Sequence, residues 1–153
     1  MGNLSSWIAW IHVVSVVVAI GGVTFLLFIL RPTVMRVMEP PEAMRLMGAI
    51  QMRWRWVVWT ALALWVVTGF WMAWGFRGMT SFDAVFDTSF GRTLLVKSAL
   101  AGVLILIALA LTLPVDGLAW FRRHQVGLIR FNLSLALVIT LLASLMVRYG
   151  GIF

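Results

Sequence analysis

The uncharged stretch WIAWIHVVSVVVAIGGVTFLLFIL, Trp7–Leu30, determines the structural class of this protein. A helix needs roughly 20 apolar residues to cross the ~30 Å hydrocarbon core of a bilayer, and this stretch exceeds that length. Three further stretches meet the same criterion. We therefore predict an all-α integral membrane four-helix bundle, residues 1–153 in a single domain, with spans near Trp7–Leu30, Trp56–Phe76, Leu94–Leu113 and Phe131–Val147.

The composition of the whole chain agrees with this prediction. Of its 153 residues, 63% are hydrophobic and 11% are charged, whereas a soluble domain has about 45–50% apolar and about 25% charged residues. The chain contains no cysteine, which excludes disulfide scaffolds, thiolate metal sites and cysteine nucleophiles. The net charge of +7 comes from few charged residues. We expect the lipid bilayer as the main partner and no nucleic acid.

The positive charges lie mainly on one side of the predicted spans. Five arginines separate the first two spans, and three more lie between the last two or at the start of the fourth. By the positive-inside rule both basic segments are cytoplasmic, so both termini are expected outside. The first basic segment contains three prolines, a residue tolerated best in the first turn of a helix. With Pro32 following the first span, we predict that the second helix begins with a cytoplasmic extension over Glu42–Arg55.

Small or polar residues recur at helical spacing on the first and fourth spans. Polar residues are costly inside a span and usually turn toward the bundle. Small side chains there allow helices to approach closely. We therefore predict an inward face on each of these helices, consisting of His12, Ser15, Ala19 and Gly22 on the first and Asn132, Ala136, Thr140 and Ala143 on the fourth.

Several side chains that could bind a metal or a cofactor are predicted to lie at a similar depth in the membrane. With the N-terminus outside, His12 lies roughly 8 Å into its span, and Lys97 lies a few residues into the third. Imidazole is the commonest metal ligand, and thioethers suit Cu(I). We predict an outer-leaflet site that contains His12, Lys97, Met72, Met146 and Arg148, with His12, Met72 and Met146 as metal ligands.

Purely structural explanations of the same residues stand beside this prediction. His12 is also explained by a hydrogen bond to a neighbouring helix, and Lys97 by snorkelling of its ammonium group to the interface. Most of the nine tryptophans fit an aromatic belt at the two interfaces. Trp59 and Trp65 lie deeper in the second span and are expected to pack against a partner helix or a planar ligand.

A set of short motifs resembles a known family. They are His12, Gly22 and Arg31 on the first helix, Thr68–Gly69 at the end of the second, and Phe90–Gly91 with Lys97 on the third. Over roughly the first three helices this pattern resembles the membrane domain of copper-resistance protein D (CopD) and the related HemJ-type protoporphyrinogen oxidases. The resemblance implies a bacterial-type inner (plasma) membrane location, with copper passage in the first branch and porphyrinogen oxidation by heme b in the second.

Three functions follow as alternatives. The first is CopD-like handling of copper through the site around His12 and Lys97. The second is a heme-b redox protein of the HemJ type, with His12 as axial ligand and Lys97 or Arg148 paired with the heme propionates. The third is a non-catalytic accessory subunit of a larger membrane complex. The chain lacks two further histidines of the HemJ pattern, so we name no catalytic residue, and it is shorter than many CopD proteins, which favours a homo-oligomer or a larger complex.

Overall fold

The computed structural model describes residues 2–75, 86–112 and 123–149. Within these ranges the chain is helical and contains no β-strand. The elements are α1 (Gly2–Phe25), a π-helical segment (Leu26–Leu30), α2 (Arg31–Val37), α3 (Pro40–Gly75), α4 (Ser89–Thr112) and α5 (Gln125–Tyr149). Since α1, the π-helical segment and α2 follow one another without a break, they form one long helical stretch.

Within the described ranges, four helical stretches are long and apolar enough to cross a membrane. Few of their large apolar side chains are buried, and many are exposed on the protein surface, among them Val17, Val67 and Leu141. Such exposure is expected where the surroundings are lipid, since a transmembrane helix needs no apolar protein partner on every side. The predicted all-α four-helix membrane architecture is confirmed, with the stretches at Asn3–Val37, Pro40–Trp74, Ser89–Thr112 and Gln125–Leu145.

The first helical stretch is longer than predicted. The helix continues beyond the predicted span, through Pro32 to Val37. Proline has no N–H to donate within an α-helix. The chain accommodates this by a local π-helical turn, in which the N–H of Arg31 donates to the Leu26 carbonyl five residues earlier, and Pro32 then lies in the first turn of α2.

The segment predicted as an extension of the second span is helical. α3 includes Glu42–Arg55 within a single helix of 36 residues. Two prolines begin it, where a missing N–H needs no partner. Only Met38 and Glu39 separate α3 from α2. The predicted span ends at Phe76 and Leu113 lie outside the described residues.

Backbone contacts divide the chain into two compact units, Met1–Phe76 and Arg77–Phe153. In the first unit α1 and α2 both pack against α3. The helices α1 and α3 are antiparallel, because His12 lies beside Thr68 and Gly22 lies beneath Trp54. The second unit consists of α4 packed against α5.

The inward face of α5 differs from the predicted one at one position. Ile139 is buried, whereas Thr140 is exposed. The Thr140 hydroxyl donates to the carbonyl of Ala136, one turn earlier on the same helix, at 2.9 Å. A threonine that satisfies its hydroxyl on its own helix need not turn toward a neighbouring helix. Its polarity was therefore a poor indicator of the inward direction.

Candidate functional site

His12 lies on the face of α1 that packs against α3. Its side chain is half-buried, and its Nδ1 atom lies 2.9 Å from Oγ1 of Thr68. The imidazole also lies close to the indole of Trp65, with ring centroids 6.3 Å apart and ring planes inclined by 37°. Helix α3 thus provides both a hydrogen-bonding partner and an aromatic wall for this histidine.

The hydrogen bonds of Thr68 assign the tautomer of His12. The single hydroxyl proton of Thr68 is donated to the carbonyl of Leu64, and the carbonyl of Trp65 lies at 3.2 Å as a second acceptor. Toward His12 the Thr68 oxygen is therefore an acceptor, and His12 donates from Nδ1–H. The neutral imidazole then carries its lone pair on Nε2. This assignment follows from the hydrogen-bond network, since protons are not located directly.

Small residues allow α3 to approach the imidazole closely. A Cβ atom at Gly69 would lie 3.1 Å from Cε1 and 3.6 Å from Nδ1 of His12. On the next turn of α1, Ser15 is buried and donates its hydroxyl to the Ile11 carbonyl at 2.7 Å. The position of the imidazole is therefore defined sterically as well as by its hydrogen bond.

Met72 belongs to the same side of α3 as the partners of His12. It lies one turn beyond Thr68 and three residues beyond Gly69, and its side chain is half-buried. Residues at this spacing share one helix face. Helical side chains lean toward the N-terminus of their own helix. Because α1 and α3 are antiparallel, the His12 side chain leans toward the end of α3 that carries Met72.

Lys97, Met146 and Arg148 belong to the second unit. Lys97 is half-buried and shares a helix face with the fully buried Thr93 and the buried Leu104. These residues therefore lie on the more buried face of α4. Arg148 is exposed in the last turn of α5, and the side chain of Met146 lies outside the described residues. The grouping of these residues with His12 and Met72 stays a prediction.

The possible ligand atoms around His12 suit some metal ions better than others. In the described ranges, no group of three or more His, Cys, Asp or Glu side chains is arranged to hold a metal ion. That part of the chain therefore has no carboxylate cluster of the kind that binds hard cations. An imidazole Nε2 with a thioether suits Cu(I), and a single histidine suffices as the axial ligand of heme iron.

Thr68 is the site residue that sequence reasoning did not identify as a partner of His12. Its spacing carried a usable signal. Trp65, Thr68 and Met72 follow one another at intervals of three and four residues, as the inward face of α1 does, and Gly69 follows Trp65 by four. These intervals indicate a face of the second helix that could cover the inward face of the first, and Thr68 on that face is a candidate partner for His12.

No family model matches the chain, and no curated protein and no solved structure matches it. Its resemblance to CopD and HemJ therefore stays a hypothesis. The function of the chain has to be inferred from its own residues and their geometry.

Proposed function

We propose that this chain is a CopD-like membrane protein that handles copper, binding Cu(I) through Nε2 of His12 with the thioether of Met72 as a second ligand. The supporting observation is the hydrogen bond between His12 Nδ1 and Thr68 Oγ1, in which the other hydrogen bonds of Thr68 assign His12 as the donor. Metal-binding histidines almost always donate their other ring N–H to a fixed acceptor, which sets the tautomer and the ring orientation. His12 has this arrangement, and its two proposed ligand atoms are of the type that Cu(I) prefers.

The location of His12 supports a role beyond packing. Ionisable residues inside a membrane span are costly, and they commonly mark pathways for ions, protons or substrates. Ser15 and Thr24 on the same helix satisfy their hydroxyls on backbone carbonyls of α1 itself. His12 instead forms a side-chain hydrogen bond to another helix. The fixed imidazole is the group on α1 with metal-binding chemistry.

Heme b is the second candidate ligand, and the position of Trp65 favours it. The indole and the imidazole are inclined to each other rather than stacked, so the indole can line a porphyrin without covering the imidazole face. The same tautomer serves heme iron, because Nε2 is the axial ligand atom. The sequence predicts Lys97 or Arg148 as the partner of the heme propionates.

An absorption spectrum of the detergent-purified protein, oxidised and then reduced with dithionite, separates these candidates. Copper is quantified on the same sample. A Soret band that sharpens on reduction identifies heme b, whereas stoichiometric copper without a Soret band identifies the copper protein. If neither ligand is present and neither binds on reconstitution, both candidates are contradicted and a non-catalytic accessory subunit becomes the better interpretation.

Thr68→Val is expected to weaken ligand binding by about 10–100-fold, the usual effect of losing a hydrogen-bond partner of a metal-binding histidine. Valine keeps the branched shape of threonine but cannot accept the His12 proton. The matched control is Thr68→Ser, which keeps the hydroxyl and is expected to bind within a few-fold of the wild type. Competition with a Cu(I) chelator, or heme titration, measures the affinity. Equal affinities for the two variants would contradict the role assigned to Thr68.

Gly69→Ala is expected to weaken binding at His12 by about tenfold, near the lower end of the cost of overpacking a close contact. The added methyl group would lie 3.1 Å from the imidazole and would displace the ring. Gly48→Ala on the same helix is the matched control, since a Cβ there meets nothing within 4 Å. The same titration applies, with circular dichroism to show that both variants stay helical. Unchanged binding by Gly69→Ala would show that the imidazole tolerates displacement.

A further inference from the structure

The packing of α1 on α3 places two arginines of α3 beside an apolar part of the first helical stretch. Trp54 covers Gly22 so closely that a Cβ there would overlap its six-membered ring. Arg53 and Arg55 flank Trp54, and both are exposed. Gly22 lies nine residues before Arg31, roughly 13 Å along a helix. The two arginines of α3 therefore emerge level with the apolar part of the first helical stretch, well before its first charged residue.

The neighbouring part of the first helical stretch has a surface suited to hydrocarbon. Phe25, Phe28 and Ile29 are 49%, 56% and 56% exposed. If the hydrocarbon of the membrane surrounds these three side chains, it also surrounds the part of α3 that carries Arg53 and Arg55. A cation at that depth is costly, and the cost is reduced when the side chain snorkels or when polar lipid groups move toward it.

The direction of the two side chains favours contact with lipid headgroups. Helical side chains lean toward the helix N-terminus, and the N-terminal part of α3 is its basic end. Both guanidinium groups therefore extend toward the headgroup region. Successive helical residues are about 100° apart, so Arg53 and Arg55 lie on opposite sides of Trp54. One guanidinium is thus presented on each flank of the α1–α3 pair.

We propose that Arg53 and Arg55 each bind the phosphate group of an anionic phospholipid, with the acyl chains against the apolar surface of the first helical stretch. A guanidinium binds phosphate through paired, charge-assisted hydrogen bonds. Among the described residues of this unit the carboxylates are Glu39 and Glu42. Glu42 lies eleven residues from Arg53, roughly 16 Å along α3, which is too far for a direct ion pair. This site is separate from His12 and does not depend on the copper or heme proposal.

Lipid binding by the full-length protein in detergent tests the proposal, with native mass spectrometry as the readout. Phosphatidylglycerol is the anionic probe and phosphatidylcholine the zwitterionic one. We expect preferential binding of phosphatidylglycerol by the wild type, and a loss of at least about tenfold in Arg53→Gln/Arg55→Gln, given about fivefold per basic residue near an anionic lipid surface. Arg36→Gln/Arg45→Gln is the matched control, because it removes two exposed arginines from the same basic segment.

The comparison between the two double variants decides the outcome. A selective loss in Arg53→Gln/Arg55→Gln supports the site. An equal loss in both variants assigns the effect to diffuse surface charge and overturns it, as does the absence of any loss. If Arg53→Gln/Arg55→Gln does not fold, Arg53→Lys/Arg55→Lys keeps the charge but lacks the planar donor pair. Weaker phosphatidylglycerol binding by that lysine variant supports the proposal, and wild-type binding overturns it.

Discussion

His12→Ala is expected to abolish ligand binding completely, whether the ligand is Cu(I) or heme b. The chain has two histidines, and the other one, His124, is exposed just before α5. Alanine removes Nε2 and leaves the proposed site with thioether donors alone. The Soret absorbance and the copper content per protein, measured on the wild type and the variant purified in parallel, quantify the loss.

Ser15→Ala is the matched control for His12→Ala. Ser15 lies one turn away on the same face of α1 and is equally within the span, but its hydroxyl is bonded to its own helix at Ile11. We expect this variant to keep its full complement of ligand. If His12→Ala kept the ligand too, the proposed site would be wrong. If both variants lost it, the cause would be a general disturbance of the α1–α3 packing.

Gly22→Ala is expected to have the largest effect on stability, lowering the free energy of unfolding by about 1–3 kcal/mol, as overpacking of a close contact does. The added Cβ would overlap the ring of Trp54. An indole is large and rigid, so either the ring or the two helices must shift, and the close packing of α1 on α3 is lost. Denaturation in mixed micelles with increasing dodecyl sulfate, followed by circular dichroism, measures the change.

Gly21→Ala provides the matched control, because it makes the same substitution one residue earlier where a Cβ meets nothing within 4 Å. It is expected to be neutral or stabilising by up to ~1 kcal/mol, since alanine is the better helix former. Combining Gly22→Ala with Trp54→Leu should remove most of the additional cost of the alanine, which a double-mutant cycle detects. Equal stabilities of the Gly21 and Gly22 variants would contradict the close packing of Trp54 on α1.

The membrane-spanning architecture was predictable from sequence because each span meets a local criterion. A bilayer requires a certain length of apolar chain, and Trp7–Leu30 satisfies this without reference to any other segment. The helical extension Glu42–Arg55 was predictable for a similar reason, since the proline signal acts within one helical turn. His12 was recognisable as a candidate ligand because an ionisable side chain inside an apolar span is itself unusual.

Other features depended on contacts between distant parts of the chain. His12 and Thr68 are 56 positions apart, so the tautomer of the imidazole follows only from the packing of α1 on α3. The depth of Arg53 likewise follows only from the contact of Trp54 with Gly22, which sets the register between α1 and α3. Helical periodicity defines a face without saying which surface of another helix will cover it. The amino-acid sequence by itself determined four membrane helices and a candidate histidine, and the tertiary structure decided how that histidine is held, because register between helices is set by side-chain packing.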